Sequence, residues 1–381
     1  MRRPLTVLQL LPALESGGVE RSTLEIAQAL VRRGDRALVV SAGGRLLPAL
    51  EATGALHVAL DIGHKSPATL RHVARLRALL LRGEVDIVHA RSRLPAWIGW
   101  LALRGLPAAR RPRFVTTVHG LNSPSRYSAI LARGERVICV SATVQGYVRH
   151  HYPGTDPTRL RVVPRGIQPD DFPLAARPDA AARARAAAQH PALAGDGPLL
   201  LLPGRGTRLK GHADALHLLA RLRADGADAR LWMPGALDGA RAAYAAELRA
   251  AAQALGVADV VAITEPTSAI AAAYAASDLV LQVSRKPEAF GRTVIEALSV
   301  GRAVAGWDHG GVGELLHELF PAGAVAPFDA EALAGTVGGL LQRPPMLPVT
   351  MRTAAGAYTL AAMQDATLAI YDELRDAPTA A

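Results

Sequence analysis

The sequence predicts an α/β fold made of two doubly wound parallel sheets, and three observations carry that expectation. Short apolar runs recur along the chain, helix-length segments separate them, and the series breaks at a turn-rich stretch near residue 170 before starting again. Strand and helix in alternation imply parallel strands with helices on both faces, and ligands at the carboxyl ends of the strands. A chain of 381 residues is also long for one core and suits two domains.

The first series runs through Leu5 to Leu11, Ala37 to Ser41, His57 to Asp61, Asp86 to His89, Phe114 to His119, Arg136 to Val140 and Arg161 to Val163. The second comprises Leu199 to Leu202, Ala229 to Met233, Val260 to Thr264, Leu279 to Val283 and Ala303 to Gly306. The domains are therefore expected at 1–170 and 171–354. Residues 174 to 192 are Ala-rich and read as a scaffold helix. In the segment Lys65 to Arg82, Leu70, Val73, Leu76 and Leu79 suggest a buried helical face. Arg71, Arg75 and Arg82 fall within roughly 40 degrees of one another on the wheel and form a basic stripe.

Composition is globular, with 50% hydrophobic and 20% charged residues. Cys139 is the only cysteine, so no intramolecular disulfide and no cysteine-rich zinc site can form; its apolar surroundings predict a core thiol in a reducing cytoplasm. Arg2, Arg3 and the apolar run after them lack the cleavage site of a signal peptide and read as the first strand. No apolar run reaches the 18 or so residues that cross a bilayer, so membrane contact is expected to be peripheral.

The net charge of +10 is uneven. Residues 1 to 172 hold 25 Lys and Arg against 12 Asp and Glu, whereas residues 173 to 381 hold 18 against 21. An anionic partner is expected on the N-terminal half. Arg104, Arg110, Arg111 and Arg113 follow the Trp97 and Trp100 stretch and add to the stripe. Aromatic residues are only 4% and no nucleic-acid module is present, so nucleic acid is not the expected partner.

The densest chemistry lies in Ser284 to Leu298. Glu288 falls in the loop after a buried strand and Glu296 lies eight residues later, roughly 12 Å along a helix axis, about the reach from a sugar across a diphosphate to a ribose. Ala289, Phe290, Gly291 and Arg292 stand between them at a helix N-terminus, where backbone N–H groups and the helix dipole favour phosphate. Upstream, Arg205 and Lys210 sit five apart in a glycine-bearing loop after another strand, able to grip phosphate oxygens. Gly17 and Gly18 open the first helix, and His119 ends a strand facing the expected cleft.

This set of motifs resembles the group-1 (family 4) glycosyltransferases of the GT-B fold. The resemblance runs nearly end to end, from the Gly17 loop to the Asp308 to Glu314 loop. It implies transfer of a sugar from a nucleotide-diphosphate donor with retention of anomeric configuration. It also implies that Glu288 and His119 contact the transferred sugar, Arg205 and Lys210 clamp the diphosphate, Glu296 meets the ribose, and Ile263 borders the base. The Gly17–Gly18 loop would face the donor. The final stretch, about 355–376, would pack back on the first domain. Val162 to Gln168 departs from the family pattern, with Arg165 and Gln168 where Asn and Asp are common, so no chemistry is assigned there.

No D-x-D triplet and no H-E-x-x-H motif occurs, so neither a metal nor another cofactor is expected; the donor is a co-substrate, with UDP and GDP undecided. The acceptor expected from the basic half is a glycolipid or lipopolysaccharide at an anionic membrane surface, met by Arg71, Arg75, Arg82 and Arg91 of a cytoplasmic, peripheral enzyme. Two alternatives remain open at this level: a nucleotide-sugar epimerase or hydrolase on the same fold, and a non-catalytic basic surface-binding protein.

Overall fold

The computed structural model describes residues 3–15, 17–237, 242–345 and 355–376. The chain divides into two compact units, Met1–Pro164 with Leu360–Ala381, and Arg165–Thr359.

The first unit holds a seven-stranded sheet of β1 (Thr6–Leu10), β2 (Arg36–Ser41), β3 (Leu56–Ala59), β4 (Ile87–Ala90), β5 (Arg113–Val118), β6 (Arg136–Cys139) and β7 (Leu160–Val162). Every pairing is parallel, and the spatial order is β3-β2-β1-β4-β5-β6-β7. The order reverses between β1 and β4, the topological switch point of such a sheet. Both faces are covered, so β1 is buried at all five positions, and its near-continuous apolar run is what a two-sided burial demands.

Helix α1 (Gly18–Arg32) follows β1 and buries Ser22, Thr23, Ile26, Ala27 and Leu30 at helical spacing. Between β2 and β5 the chain adds α2 (Leu47–Glu51), α3 (Arg71–Arg82) and α4 (Arg93–Arg104). Helix α5 (Ala142–His151) is capped by the Ser141 hydroxyl, which accepts from Val144 N at 3.1 Å. Cys139 is buried on β6, and burial pushes its thiol up to about 12.

Helix α3 corrects one expectation. Leu70 is 56% exposed rather than part of the buried face, because it ends a short 3-10 turn, Pro67–Leu70, ahead of the helix. The buried side is made by Thr69, His72, Leu76 and Leu80, and Arg71, Arg75 and Arg82 are exposed on the other.

The second unit begins with α6 (Ala180–Gln189) in the Ala-rich stretch, capped by Asp179. Its six-stranded parallel sheet comprises β8 (Leu199–Leu201), β9 (Arg230–Pro234), β10 (Val261–Thr264), β11 (Leu279–Gln282), β12 (Ala303–Trp307) and β13 (Ala324–Val325), in the order β10-β9-β8-β11-β12-β13. The switch point lies between β8 and β11. Helices α7 (His212–Ala224), α8 (Ala242–Ala254), α9 (Ile270–Ala276), α10 (Arg292–Val300), α11 (Gly310–Leu319) and α12 (Ala330–Gln342) connect and flank the strands. All twelve strands read from the sequence are present within two residues of their expected ends; β13 spans only two residues, too short for a periodic signal.

The last helix, α13 (Leu360–Asp376), belongs to the first unit and completes its core. Met363, Leu368, Ile370, Tyr371 and Leu374 cluster with Leu5, Val7, Ile26, Leu30 and Ile87. Each such side chain contributes roughly 1.5–3 kcal/mol of burial before the entropy of ordering is set against it. The Tyr371 hydroxyl lies 2.6 Å from His89 Nδ1, and His89 Nε2 lies 2.6 Å from the Thr117 hydroxyl, so one buried hydrogen-bonded line ties the helix to β4 and β5.

Tyr371→Phe is expected to break that line and lower stability by about 1–2 kcal/mol, the cost of stranding a buried imidazole nitrogen. The shift in the urea unfolding midpoint of the first unit, followed by amide exchange in β4, measures it.

Candidate functional site

In the second unit, the loops leaving the carboxyl ends of β8, β9, β10, β11 and β12 are joined in a row. Gly204 N donates to Pro234 O and Gly206 N to Gly235 O, each at 3.0 Å, and Gly235 N donates to Thr264 O at 2.9 Å. On the other side Arg285 N donates to Leu209 O and Gly311 N to Glu288 O, each at 2.8 Å. Gly211 sits at φ +73°, and a Cβ there would stand 2.0 Å from Val283 O, so only glycine lets the β8 loop close on the strand beside it.

Lys210 and Glu288 meet across this row. The Lys210 ammonium is 2.6 Å from Glu288 Oε1, and the two side chains are 28% and 24% exposed. The Ser284 hydroxyl contacts the same carboxylate oxygen and lies 3.0 Å from Gln282 Oε1. Ser284 O is in turn 2.8 Å from His309 Nε2. Burial pushes the Glu288 carboxyl up, but the Lys210 charge and hydrogen bonds from Lys210, Ser284 and Gln282 outweigh it and hold the group below its ordinary value. The carboxylate stays ionised. His212, fully buried at the start of α7, is pushed down to about 4 by burial and adds no charge at neutral pH.

Helix α10 starts at Arg292, with Gly291 as its N-cap at φ 137°. Phe290 is buried beneath the loop, Ala289 is half-buried, and Gly311 packs so tightly on them that a Cβ would lie 2.4 Å from Phe290 O. Glu296 lies in the second turn of α10. Its Oε2 accepts from the Tyr274 hydroxyl at 2.8 Å, and its Oε1 is 3.4 Å from Arg292 Nε. Arg292 also donates from Nη2 to Gly166 O at 2.9 Å.

The structure thus brings Lys210, Glu288, Ala289, Phe290, Gly291, Arg292 and Glu296 onto two adjoining loops and one helix. Arg205 is exposed on the β8 loop in the same row. Arg208 pairs instead with Glu247 at 2.6 Å and stacks 5.4 Å from the Tyr244 ring. Ile263 lies on the edge strand β10 and lines a cavity of about 390 Å³ with His190, Gln253 and Thr264. Three contributors went unassigned in the sequence: Ser284, His309 and Tyr274. Each acts through a side-chain contact with a residue on another element or turn, which no local pattern announces.

In the first unit, Gly17 caps α1 at φ 151°, where a Cβ would collide with the Glu20 carboxylate at 2.6 Å; Gly18 is the first helical residue, with open space above it. His119 is half-buried just past β5. Arg91 requires correction as an acceptor-side or membrane-side residue. It is 3% exposed, donating to Gln9 Oε1 at 2.7 Å and Ser22 Oγ at 2.9 Å, because β4 points it inward across the first switch point.

Two doubly wound parallel sheets in one chain are the architecture of the GT-B fold. The chain matches the model described as Glycosyltransferase Family 4 over residues 16–171 and that described as Glycosyl transferases group 1 over residues 185–357. It belongs to the group-1, family 4 glycosyltransferases. Among its relatives, the D-inositol 3-phosphate glycosyltransferase of Xylanimonas cellulosilytica is 28% identical over 86% of this chain and 84% of its own length. That of Streptomyces scabiei is 27% identical over 90% and 82%. A glycosyltransferase of Rickettsia africae superposes with a TM-score of 0.86 at 28% identity, covering 99% of this chain and all of its own. Anabaena Alr3699/HepE, solved with UDP and glucose, gives 0.79 at 20% identity, covering 97% of this chain and all of its own, and shows the shared fold.

Removing Lys210 should weaken the Glu288 shift. A depressed carboxyl stabilises the fold above its unfolded value near 4.5, and that contribution fades as pH falls through the lower folded value. In Lys210→Met burial is opposed only by the Ser284 and Gln282 hydrogen bonds, so the carboxyl is expected to titrate higher than in the wild type and to lose stabilisation at neutral pH. A pH titration of the Glu288 side-chain carbon by NMR reads the direction.

Proposed function

We propose that this glycosyltransferase moves a hexose from a UDP-sugar to an anionic, lipid-linked acceptor with retention of anomeric configuration. The observation that carries the reading is the Lys210–Glu288 pair at the switch point, beside the start of α10. Open α/β sheets bind ligands at that crevice, and the pair supplies what a sugar diphosphate needs. The carboxylate accepts from sugar hydroxyls, and the ammonium, with Arg205 and the first amides of α10, meets the charge that grows on the departing diphosphate. Glu296 accepts from the ribose. Uridine is favoured by the UDP and UDP-glucose complexes of Anabaena Alr3699/HepE, and retention by membership of the family.

The first unit supports the acceptor reading. Arg71, Arg75 and Arg82 are exposed along α3, and Arg110 donates to Leu81 O at 3.4 Å, which extends the basic surface from the end of that helix. Next to it a cavity of about 560 Å³ is lined by Arg3, Arg110, Arg111, Arg113 and Arg375 together with Glu84 and Asp86. Arg104 stacks 4.8 Å from the Trp100 ring. Among the described residues no helix is long and apolar enough to cross a membrane; the attachment proposed is peripheral. A second reading, favoured by the names of the relatives above, makes the acceptor a soluble inositol phosphate, which would meet the same cationic unit.

Glu288→Gln and Lys210→Ala are each expected to lower kcat by about 10²–10³ in a folded protein, the loss typical of one aligned charge-stabilising group. Glucose transfer from UDP-glucose to bacterial lipid extract and, in parallel, to inositol 3-phosphate measures this and separates the two acceptors. Proton NMR of the first-formed product reads its anomeric configuration. Wild-type rates in both variants would remove the site assignment, and an inverted product would remove retention.

Each exposed arginine near an anionic bilayer contributes around 1 kcal/mol. Vesicles containing phosphatidylglycerol should therefore sediment the protein at low salt, neutral vesicles should not, and joint Arg71→Glu, Arg75→Glu and Arg82→Glu replacement should release it. Equal recovery in every supernatant would favour the soluble acceptor.

A further inference from the structure

We propose that Tyr274 is a positioning residue for the donor site: from α9 it fixes the Glu296 carboxylate in the orientation that receives the ribose hydroxyls. The proposal rests on the reading of Glu296 as the ribose ligand.

Tyr274 is completely buried, its ring tilted against Phe172 at 6.1 Å between centroids, and its hydroxyl donates to Glu296 Oε2 at 2.8 Å. Arg292, one helical turn before Glu296, brings Nε to 3.4 Å of the other oxygen and is itself tied to Gly166 O. One hydrogen-bond donor on α9 and one ion-pair partner on α10 therefore address the two oxygens of one carboxylate. A glutamate on a helix surface has three side-chain torsions and samples several rotamers, whereas a buried tyrosine has two and is held by packing. The tyrosine thus transfers the rigidity of the core to a group at the ligand-facing rim.

Apolar packing alone would be satisfied by phenylalanine, and a buried phenol needs a partner. Burial first and the Glu296 charge second raise the Tyr274 phenol well above its ordinary value, with Thr293 and Arg292 opposing. The proton stays on the tyrosine through the physiological range, and the phenol remains the donor in the contact.

Tyr274→Phe removes one oxygen and tests the proposal. UDP affinity by calorimetry and donor KM are each expected to weaken about tenfold, the scale of one hydrogen bond to a charged group, with kcat within about twofold of wild type. With 2′,3′-dideoxy-UDP the variant and the wild type should bind alike, and in a Glu296→Gln background Tyr274→Phe should add nothing. Unchanged UDP affinity, or equal losses on UDP and the dideoxy nucleotide with a lowered ligand-free melting temperature, would overturn the positioning role. Glu296→Gln alone separates the premise from the proposal. If it binds UDP as tightly as wild type, the ribose reading itself falls; if it binds weakly while Tyr274→Phe does not, only the positioning role falls.

Discussion

The ion pair between Lys210 and Glu288 is the constraint around which the second unit is arranged. β8 and β11 lie side by side at the switch point although helices α7, α8 and α9 and two strands separate them in the chain. Their loops can present opposite charges to one another only if the whole intervening segment returns in register. A half-buried carboxylate without its cation would be costly, commonly several kcal/mol when one partner of a buried pair is removed. The pair therefore keeps a charged crevice ready at the place where the sheet leaves room for a ligand. The glycines at 211 and 311 serve the same end, since each permits a backbone approach that any side chain would block.

Strand positions were legible because parallel strands buried on both faces are short apolar runs bounded by turns, and the E-x7-E spacing was legible because it lies within one loop and one helix. What the sequence concealed was pairing between elements. Tyr274 stands on α9 in an Ala-rich stretch with no chemical neighbour nearby in the chain, yet it meets Glu296. His309 sits in a Gly-Gly loop that gave no chemistry on its own, yet it holds the carbonyl of Ser284. Arg91 shows the converse: it follows a strand and flanks a basic stretch, and only the register of β4 against β1 turns it inward towards Gln9. Leu70 matched a helical wheel drawn one residue before the α-helix begins.

The cationic surplus of the first unit is likewise smaller at the surface than the composition suggests. Arg91 is interior, Arg113 pairs with Glu135 at 2.9 Å, Arg77 is fastened to the carbonyls of Leu101 and Ala102, and Arg136 and Arg161 share Glu373. Those arginines hold the fold together. The exposed remainder includes Arg71, Arg75 and Arg82 along α3 and Arg104, Arg110 and Arg111 after α4, but also Arg21, Arg32, Arg36, Arg45, Arg126, Arg133, Arg149 and Arg159 elsewhere, so the positive field is spread over the unit.

The placement of α13 has a consequence for the order in which the protein is made. Its core residues are translated after the whole of the second unit, although they complete the first. On the ribosome the N-terminal sheet therefore emerges with a missing side and waits while an independent core of 195 residues, Arg165–Thr359, is synthesised and can fold as an inserted body. At ordinary elongation rates of about 5–20 residues per second that interval is on the order of ten to forty seconds, during which apolar positions of β1, β4 and α1 stay uncovered. Chaperone occupancy of the nascent chain should accordingly persist until Leu360–Asp376 has emerged, and loss of that helix would be felt first as a failure of biogenesis rather than of chemistry.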